Sequence, residues 1–163
     1  EARFLRLAGM RFDVSESTKA QVAQAVAEIA PDIAFMLWPH DRHTDHEVAS
    51  RLSQVALRHG DRVAIGASRV RPAQRIYQYD NGPRHTIGFE PDTFVDISDE
   101  WRQVGEWLGR LASFVRGKEF DAVQMEAAVR AKETLAAYRG ATCGVRHAEA
   151  FKASNAYVQE ILS

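Results

Sequence analysis

The sequence has little that would suit a secreted, membrane-embedded or nucleic-acid-binding protein. Its one cysteine, Cys143, has no partner within the chain for a disulfide, which favours a reducing compartment, and we expect a cytoplasmic protein. The longest purely apolar run, Ile33–Trp38, is far shorter than the ~20 residues of a membrane-spanning helix, so no span is predicted. The formal net charge of −1 leaves no basic excess and argues against nucleic acid as a partner.

The composition that remains is that of an ordinary globular domain. The chain has 163 residues, of which 45% are hydrophobic and 26% charged, which is enough for one domain with a packed core. Neither an internal repeat nor a low-complexity segment interrupts it. The sequence begins Glu1-Ala2-Arg3 without a methionine, and we expect a further part of the protein to precede it.

Helical and strand-like hydrophobic patterns alternate along the chain. Apolar residues spaced as on one helix face predict helices over residues 16–30, 45–58, 101–115 and 121–138, with a further short helical piece at 148–151. Short apolar or alternating runs predict strands over residues 33–38, 74–79 and 93–97. The first of these is apolar on both faces, as in a buried strand of a parallel sheet. This order predicts an α/β domain, in which ligands bind beyond the carboxyl ends of the strands.

Small polar residues and a glycine mark the expected helix ends. Asp45 is a candidate N-cap for the helix predicted at 45–58, and Gly60 is placed to end it. Ser98 and Asp99 can cap the helix predicted at 101–115.

The densest group of ionisable residues directly follows the strand predicted at 33–38. His43-Thr44-Asp45-His46 places two imidazoles and a carboxylate within four residues, just after His40-Asp41-Arg42. Imidazole is a good zinc ligand, and a neighbouring carboxylate can fix its tautomer. Because a catalytic zinc takes about three protein ligands, others would have to come from elsewhere. The pattern also fits a solvated strand-to-helix loop, and the H-E-x-x-H signature is absent.

Four ordered segments between residues 31 and 151 carry family-like motifs. The most specific joins Pro31-Asp32-Ile33-Ala34-Phe35 to Asp41-Arg42-His43-Thr44-Asp45-His46 and a following helix. The other three are short and lie at residues 76–79, 91–98 and 144–151. Together they resemble the PIG-L/LmbE-like N-deacetylases, whose second motif reads roughly P-D-x-[VI] and then D-x-H-P-D-H.

The resemblance implies a Rossmann-like three-layer α/β sandwich with a mostly parallel sheet. The family's first motif, A-H-P-D-D-E, is absent from this chain, so we expect residues 1–163 to form a single α/β domain that lacks its N-terminal βα units. The implied activity is zinc-dependent hydrolysis of an N-acetyl group on a glucosamine-type sugar conjugate. The implied partner is an N-acetylated amino-sugar substrate, and a homo-oligomer is a possible assembly.

The matched motif also implies roles for individual residues. His46 would be the zinc ligand from this part of the protein, with the remaining ligands supplied by the A-H-P-D-D-E segment. His43 would stabilise the oxyanion or protonate the leaving amine, and Asp45 would orient His43. Arg42 and Asp41 would line the mouth of the site and contact the substrate.

Several residues depart from the family pattern or lie outside it. Thr44 replaces the proline of H-P-D-H, and His147 replaces a tyrosine of the terminal element. His85, in a turn-rich loop between two predicted strands, is a further candidate for substrate binding. Two other functions stay open at this point. One is a non-catalytic sugar-binding or assembly module with a deacetylase-type fold, and the other is a different metallohydrolase such as a phosphoesterase.

Overall fold

The chain alternates helices and strands, which confirms the α/β class. A computed structural model describes residues 2–64, 71–82, 84–121 and 127–157. Its elements, in chain order, are α1 (Glu16–Ile29), β1 (Ile33–Leu37), α2 (Thr44–Val63), β2 (Arg75–Tyr79), β3 (Thr93–Asp96), α3 (Trp101–Val115), α4 (Ala127–Cys143) and β4 (Ala148–Ala153). None of the helices in these ranges is long and apolar enough to cross a membrane.

The four strands form a mixed sheet in the order β1-β2-β4-β3. β1 and β2 are parallel, with Ile33 opposite Arg75 and Leu37 opposite Tyr79. β2 and β4 are antiparallel, with Tyr79 opposite Phe151. The expectation of a mostly parallel sheet is therefore not confirmed, and the three-layer arrangement stays a prediction.

The segment predicted as a short helix at 148–151 is the beginning of β4, so that prediction was wrong. Ala148 and Ala150 are buried whereas Glu149 and Phe151 are partly exposed, which is the two-residue period of a strand. Four residues are too few to separate a helical from a strand period, and pairing with a neighbouring strand decided the outcome.

The described chain divides into two compact units, residues 1–90 with 151–163 and residues 91–150. The core of the first unit consists of small and medium apolar side chains from β1, β2, α2 and the segment before β2: Ala34, Met36, Leu57, Ala73 and Ile76. β1 is buried on one face only, because Ile33 and Phe35 are 51% and 56% exposed. The expectation that both faces of β1 are buried was wrong for the described residues.

The helix α2 follows β1 after a short loop and packs against α1 and β1. Inside it, the Ser50 hydroxyl donates to the carbonyl of Leu37 over 2.7 Å, which ties the helix to the end of the strand. Its N-cap is His43, not Asp45 as predicted. His59 is non-helical and kinks α2, so the first helical run ends at residue 58, as predicted, and a second short run continues past Gly60 to Val63.

In the second unit, α3 packs against α4, and β3 contacts α4. The Trp101 and His147 rings stack with centroids 4.8 Å apart. Neither Ser98 nor Asp99 caps α3, because the N-cap position is Glu100, which makes no side-chain cap bond. Ser98 instead donates through both its N–H and its hydroxyl to the Asp96 carboxylate, over 2.9 and 2.6 Å.

Candidate metal centre

The candidate site lies where the loops after β1 and β2 meet. Since the two strands are parallel, their carboxyl ends reach the same edge of the sheet. The loops are joined there by backbone hydrogen bonds from Arg42 N–H to the His85 carbonyl and from Ile87 N–H to the His40 carbonyl, each 2.9 Å long. A bridge between Asp41 and Thr86 completes this short antiparallel contact. The loop after β2 therefore forms a second wall of the site.

Asp41 lies at the centre of the cluster, with only 3% of its side chain exposed. Its Oδ1 accepts the backbone N–H of His43 over 2.8 Å. The same oxygen lies 3.0 Å from Nδ1 of His46 and 3.7 Å from Nδ1 of His85. Burial acts to raise the pKa of Asp41, but the His43 N–H together with His46 and His85 holds that pKa below its usual value. Asp41 is thus an ionised carboxylate set against two imidazoles.

His46 is the imidazole with the most neighbours in the site. Its ring stacks on that of His43, with centroids 4.6 Å apart and planes inclined by 22°. The His85 ring lies on another side, with its centroid at 5.4 Å. The side-chain nitrogen of Asn81, at the end of β2, lies 3.0 Å from Nδ1 and 3.3 Å from Nε2 of His46. Asn81 was not among the residues predicted for the site. Only its position just after a strand could have indicated it.

His43 begins α2 and uses one ring nitrogen to cap it. Its Nδ1 accepts the backbone N–H of Asp45 over 3.2 Å. A neutral His43 therefore carries its proton on Nε2, which makes that nitrogen a donor. The Asp45 carboxylate accepts the backbone N–H of Met10 over 2.8 Å, so it links the N-terminal segment to the start of α2. The role of Asp45 as an orienter of His43 stays a prediction, and the contact between the two runs through the Asp45 backbone.

The residues expected at the mouth of the site differ in their exposure. Arg42 is exposed, and its backbone N–H holds the His85 loop, while its contact with substrate stays a prediction. Asp41 was expected beside it, yet its carboxylate is buried against the histidines. His85 keeps 45% of its side chain exposed and is brought next to His46. The reason is the loop-to-loop bridge, which no local pattern in the sequence indicates.

The residues of the cluster fit a divalent cation such as zinc. Asp41, His46 and His85 each offer one ligand atom, and these atoms lie within 4.8 Å of one another. Two imidazoles and a carboxylate are also a donor set that zinc accepts.

Comparison with known proteins defines the fold of this chain but leaves its family open. No protein-family model matches it, and no curated protein matches it. Solved structures do match. The conserved protein TT1542 from Thermus thermophilus has a TM-score of 0.73 at 24% identity, with 94% of this chain and 66% of that chain covered.

Two further matches are enzymes by name. The 4-carboxy-2-hydroxymuconate hydratase GalB from Pseudomonas putida KT2440 has a TM-score of 0.65 at 18% identity, covering 94% of this chain and 65% of that one. The N,N'-diacetylchitobiose deacetylase from Pyrococcus horikoshii, complexed with its inhibitor MPG, has a TM-score of 0.66 at 19% identity, covering 91% and 55%. This chain therefore spans 55–66% of the length of these three proteins. At such identities the matches show that it shares their fold.

Proposed function

We propose that this chain carries the metal-binding loop of a zinc-dependent N-deacetylase that acts on an N-acetylated, glucosamine-type sugar conjugate. The observation that carries the proposal is the stacking of His43 on His46 at the carboxyl end of β1, with Asp41 and His85 beside them. The fold shared with a diacetylchitobiose deacetylase supports it. So does the D-x-H-x-D-H pattern of residues 41–46, which resembles that of the PIG-L/LmbE-like enzymes.

His46 would hold the metal, with His85 as the neighbouring donor in this chain and Asp41 in contact with the His46 ring. When bound, zinc polarises an amide carbonyl and lowers the pKa of bound water toward ~7. The protein's own contribution is to fix the donors before the substrate arrives. The loop-to-loop bridge and the His43 N–H bond to Asp41 hold the cluster in place.

His43 would act on the substrate itself. Because Nδ1 is occupied by the Asp45 N–H, Nε2 is the nitrogen that donates. A donor aimed at the oxygen on which negative charge develops stabilises that charge by a few kcal/mol, about 3 on average. Delivery of a proton to the leaving amine would require the imidazolium, with a second proton on Nδ1, so the bond from the Asp45 N–H favours the oxyanion role for His43.

The test replaces His46 by alanine (H46A) in the complete protein. We expect loss of bound zinc and of activity on N-acetylglucosaminyl substrates, because the ring at the centre of the cluster is gone. His40→Ala is the matched control, since His40 is an exposed imidazole of the same loop whose ring lies against Trp38. Unchanged zinc content together with unchanged deacetylation in H46A would contradict the proposal. Sugar binding without any turnover in the wild type would favour a non-catalytic module.

A further inference from the structure

We propose that Asp41 is a positioning residue whose Oδ1 holds His46 as its Nδ1–H tautomer and so presents the Nε2 atom of that ring for metal binding. The inference rests on the proposed metal site and extends it to a residue that does not itself touch the metal. It assigns to Asp41 a task different from the substrate contact expected from the sequence.

The direction in which the His46 ring faces is the first support. Nδ1 of His46 lies 3.0 Å from Oδ1, which is hydrogen-bond distance, whereas Nδ1 of His85 at 3.7 Å is too far for a hydrogen bond. An ionised carboxylate can only accept, so the hydrogen bond to His46 requires a proton on Nδ1. A neutral ring then has its lone pair on Nε2, on the opposite side from Asp41. In water, the neutral imidazole prefers the other tautomer, so the carboxylate reverses the intrinsic preference.

The same distance excludes the other tautomer of His46. If Nδ1 were unprotonated, its lone pair and the Asp41 carboxylate would be two acceptors facing each other over 3.0 Å. A proton on Nδ1 turns this contact into a hydrogen bond.

The burial of the Asp41 side chain distinguishes a positioning residue from a metal ligand. The side chain of Asp41 is 3% exposed, whereas those of His46 and His85 are 24% and 45% exposed. A catalytic metal keeps one coordination position open to water or substrate, which favours the exposed side of the rings. Oδ1 is also engaged by the His43 N–H at 2.8 Å. A buried carboxylate that orients a ligand histidine from behind raises its basicity and fixes its direction.

The experiment reads the tautomers directly by ¹⁵N NMR of the histidine rings in the full, metal-free chain at a pH where the rings are neutral. We expect His46 to have a protonated Nδ1 and an unprotonated Nε2. In Asp41→Asn (D41N), which keeps the shape but loses the charge, His46 should shift toward the Nε2–H form. The zinc Kd, measured by calorimetry, should rise about 10–100-fold.

Asp61→Asn is the matched control, because Asp61 is an exposed carboxylate near the end of α2, the helix that carries His46. It should leave both the tautomer of His46 and the zinc Kd unchanged. Circular dichroism tests whether D41N is folded. If it is unfolded, the tautomer of His46 in the wild type alone decides whether Asp41 positions this ring. An Nε2–H tautomer of His46 in the wild type, or zinc coordinated through Nδ1 together with an Asp41 oxygen, would overturn the inference. An Nδ1–H tautomer of His46 in a protein with no deacetylase activity would support it and count against the proposed function only.

Discussion

The Nδ1 atom of His43 accepts the backbone N–H of Asp45 over 3.2 Å, so one side chain caps α2 and at the same time directs its other ring nitrogen outward. His43 therefore stabilises the start of α2 and also presents an Nε2–H donor. Substitution by asparagine and by alanine can distinguish the two effects, because asparagine is a good N-cap whereas alanine is not.

His43→Ala should lower the free energy of unfolding by about 1 kcal/mol, since the cap is lost. His43→Asn should keep most of that stability. Both variants should lose about 10²–10³-fold in kcat on an N-acetylglucosaminyl substrate, because both lack the Nε2–H donor. Urea denaturation and steady-state kinetics measure the two effects. Full activity in H43N would show that the imidazole is not needed for catalysis.

Zinc should stabilise the folded chain, and His85 should contribute to the effect. Binding of zinc at 100 times its Kd adds about 2.7 kcal/mol to the free energy of unfolding. His85→Ala removes one of the two imidazoles of the cluster, so the zinc-induced rise in Tm should shrink. His40→Ala should show the full rise, and a chelator should reverse it in every variant. An equal rise in wild type and H85A would exclude His85 from the metal site.

Gly140 and Gly105 should respond in opposite directions to substitution by alanine. A Cβ at Gly140, in α4, would lie 2.6 Å from the carbonyl oxygen of Val145 and 2.7 Å from that of Arg146. Both neighbours are backbone atoms that cannot rotate away, so G140A should cost about 2–3 kcal/mol in unfolding free energy.

A Cβ at Gly105, inside α3, would meet only Val129 Cγ1 at 3.7 Å, which is ordinary contact. G105A should therefore stabilise the helix by about 0.5–1 kcal/mol. Thermal denaturation of both variants compares them. A stability of G140A equal to that of the wild type would contradict the close packing of α4 against the Val145–Arg146 turn.

The pKa of Asp96 should depend on the hydroxyl of Ser98. The hydroxyl and backbone N–H of Ser98 both donate to this carboxylate and hold its pKa below the usual value. Ser98→Ala removes the larger of the two influences, so the pKa should rise toward that of a free aspartate. Ser98→Thr keeps a hydroxyl and should keep the low pKa. An NMR titration of the carboxylate measures both.

The stability that the Asp96 carboxylate contributes to the fold should depend on pH. Because the pKa of Asp96 is lower in the folded chain than in the unfolded one, its stabilising effect is present above the unfolded pKa. The effect is lost as the pH falls through the folded pKa. The stability advantage of the wild type over S98A should therefore shrink in acid, and the part that remains comes from the His147 N–H, which the Ser98 hydroxyl accepts over 3.1 Å. An advantage that stays constant down to the lowest pH would assign it to packing of the side chain instead.

The sequence by itself determined most of the local structure of this chain. The apolar spacing of α1, α2 and α3 and the short runs of β1 and β2 were enough to predict these elements, because the periods of 3.6 and 2 residues differ clearly over such lengths. The clustering of His43, Asp45 and His46 after a strand also pointed to a site. The segment at 148–151 was too short for its period to be read.

Only the tertiary structure decided which side chains act together. His85 lies 39 positions beyond His46 in the chain (85 − 46), and the bridge between Asp41 and Thr86 brings the two imidazoles into one cluster. The burial of Asp41 and the capping role of His43 were decided in the same way, by which backbone N–H groups the fold placed beside them. Hydrogen bonds and burial of this kind depend on three-dimensional neighbours, which a one-dimensional pattern does not contain.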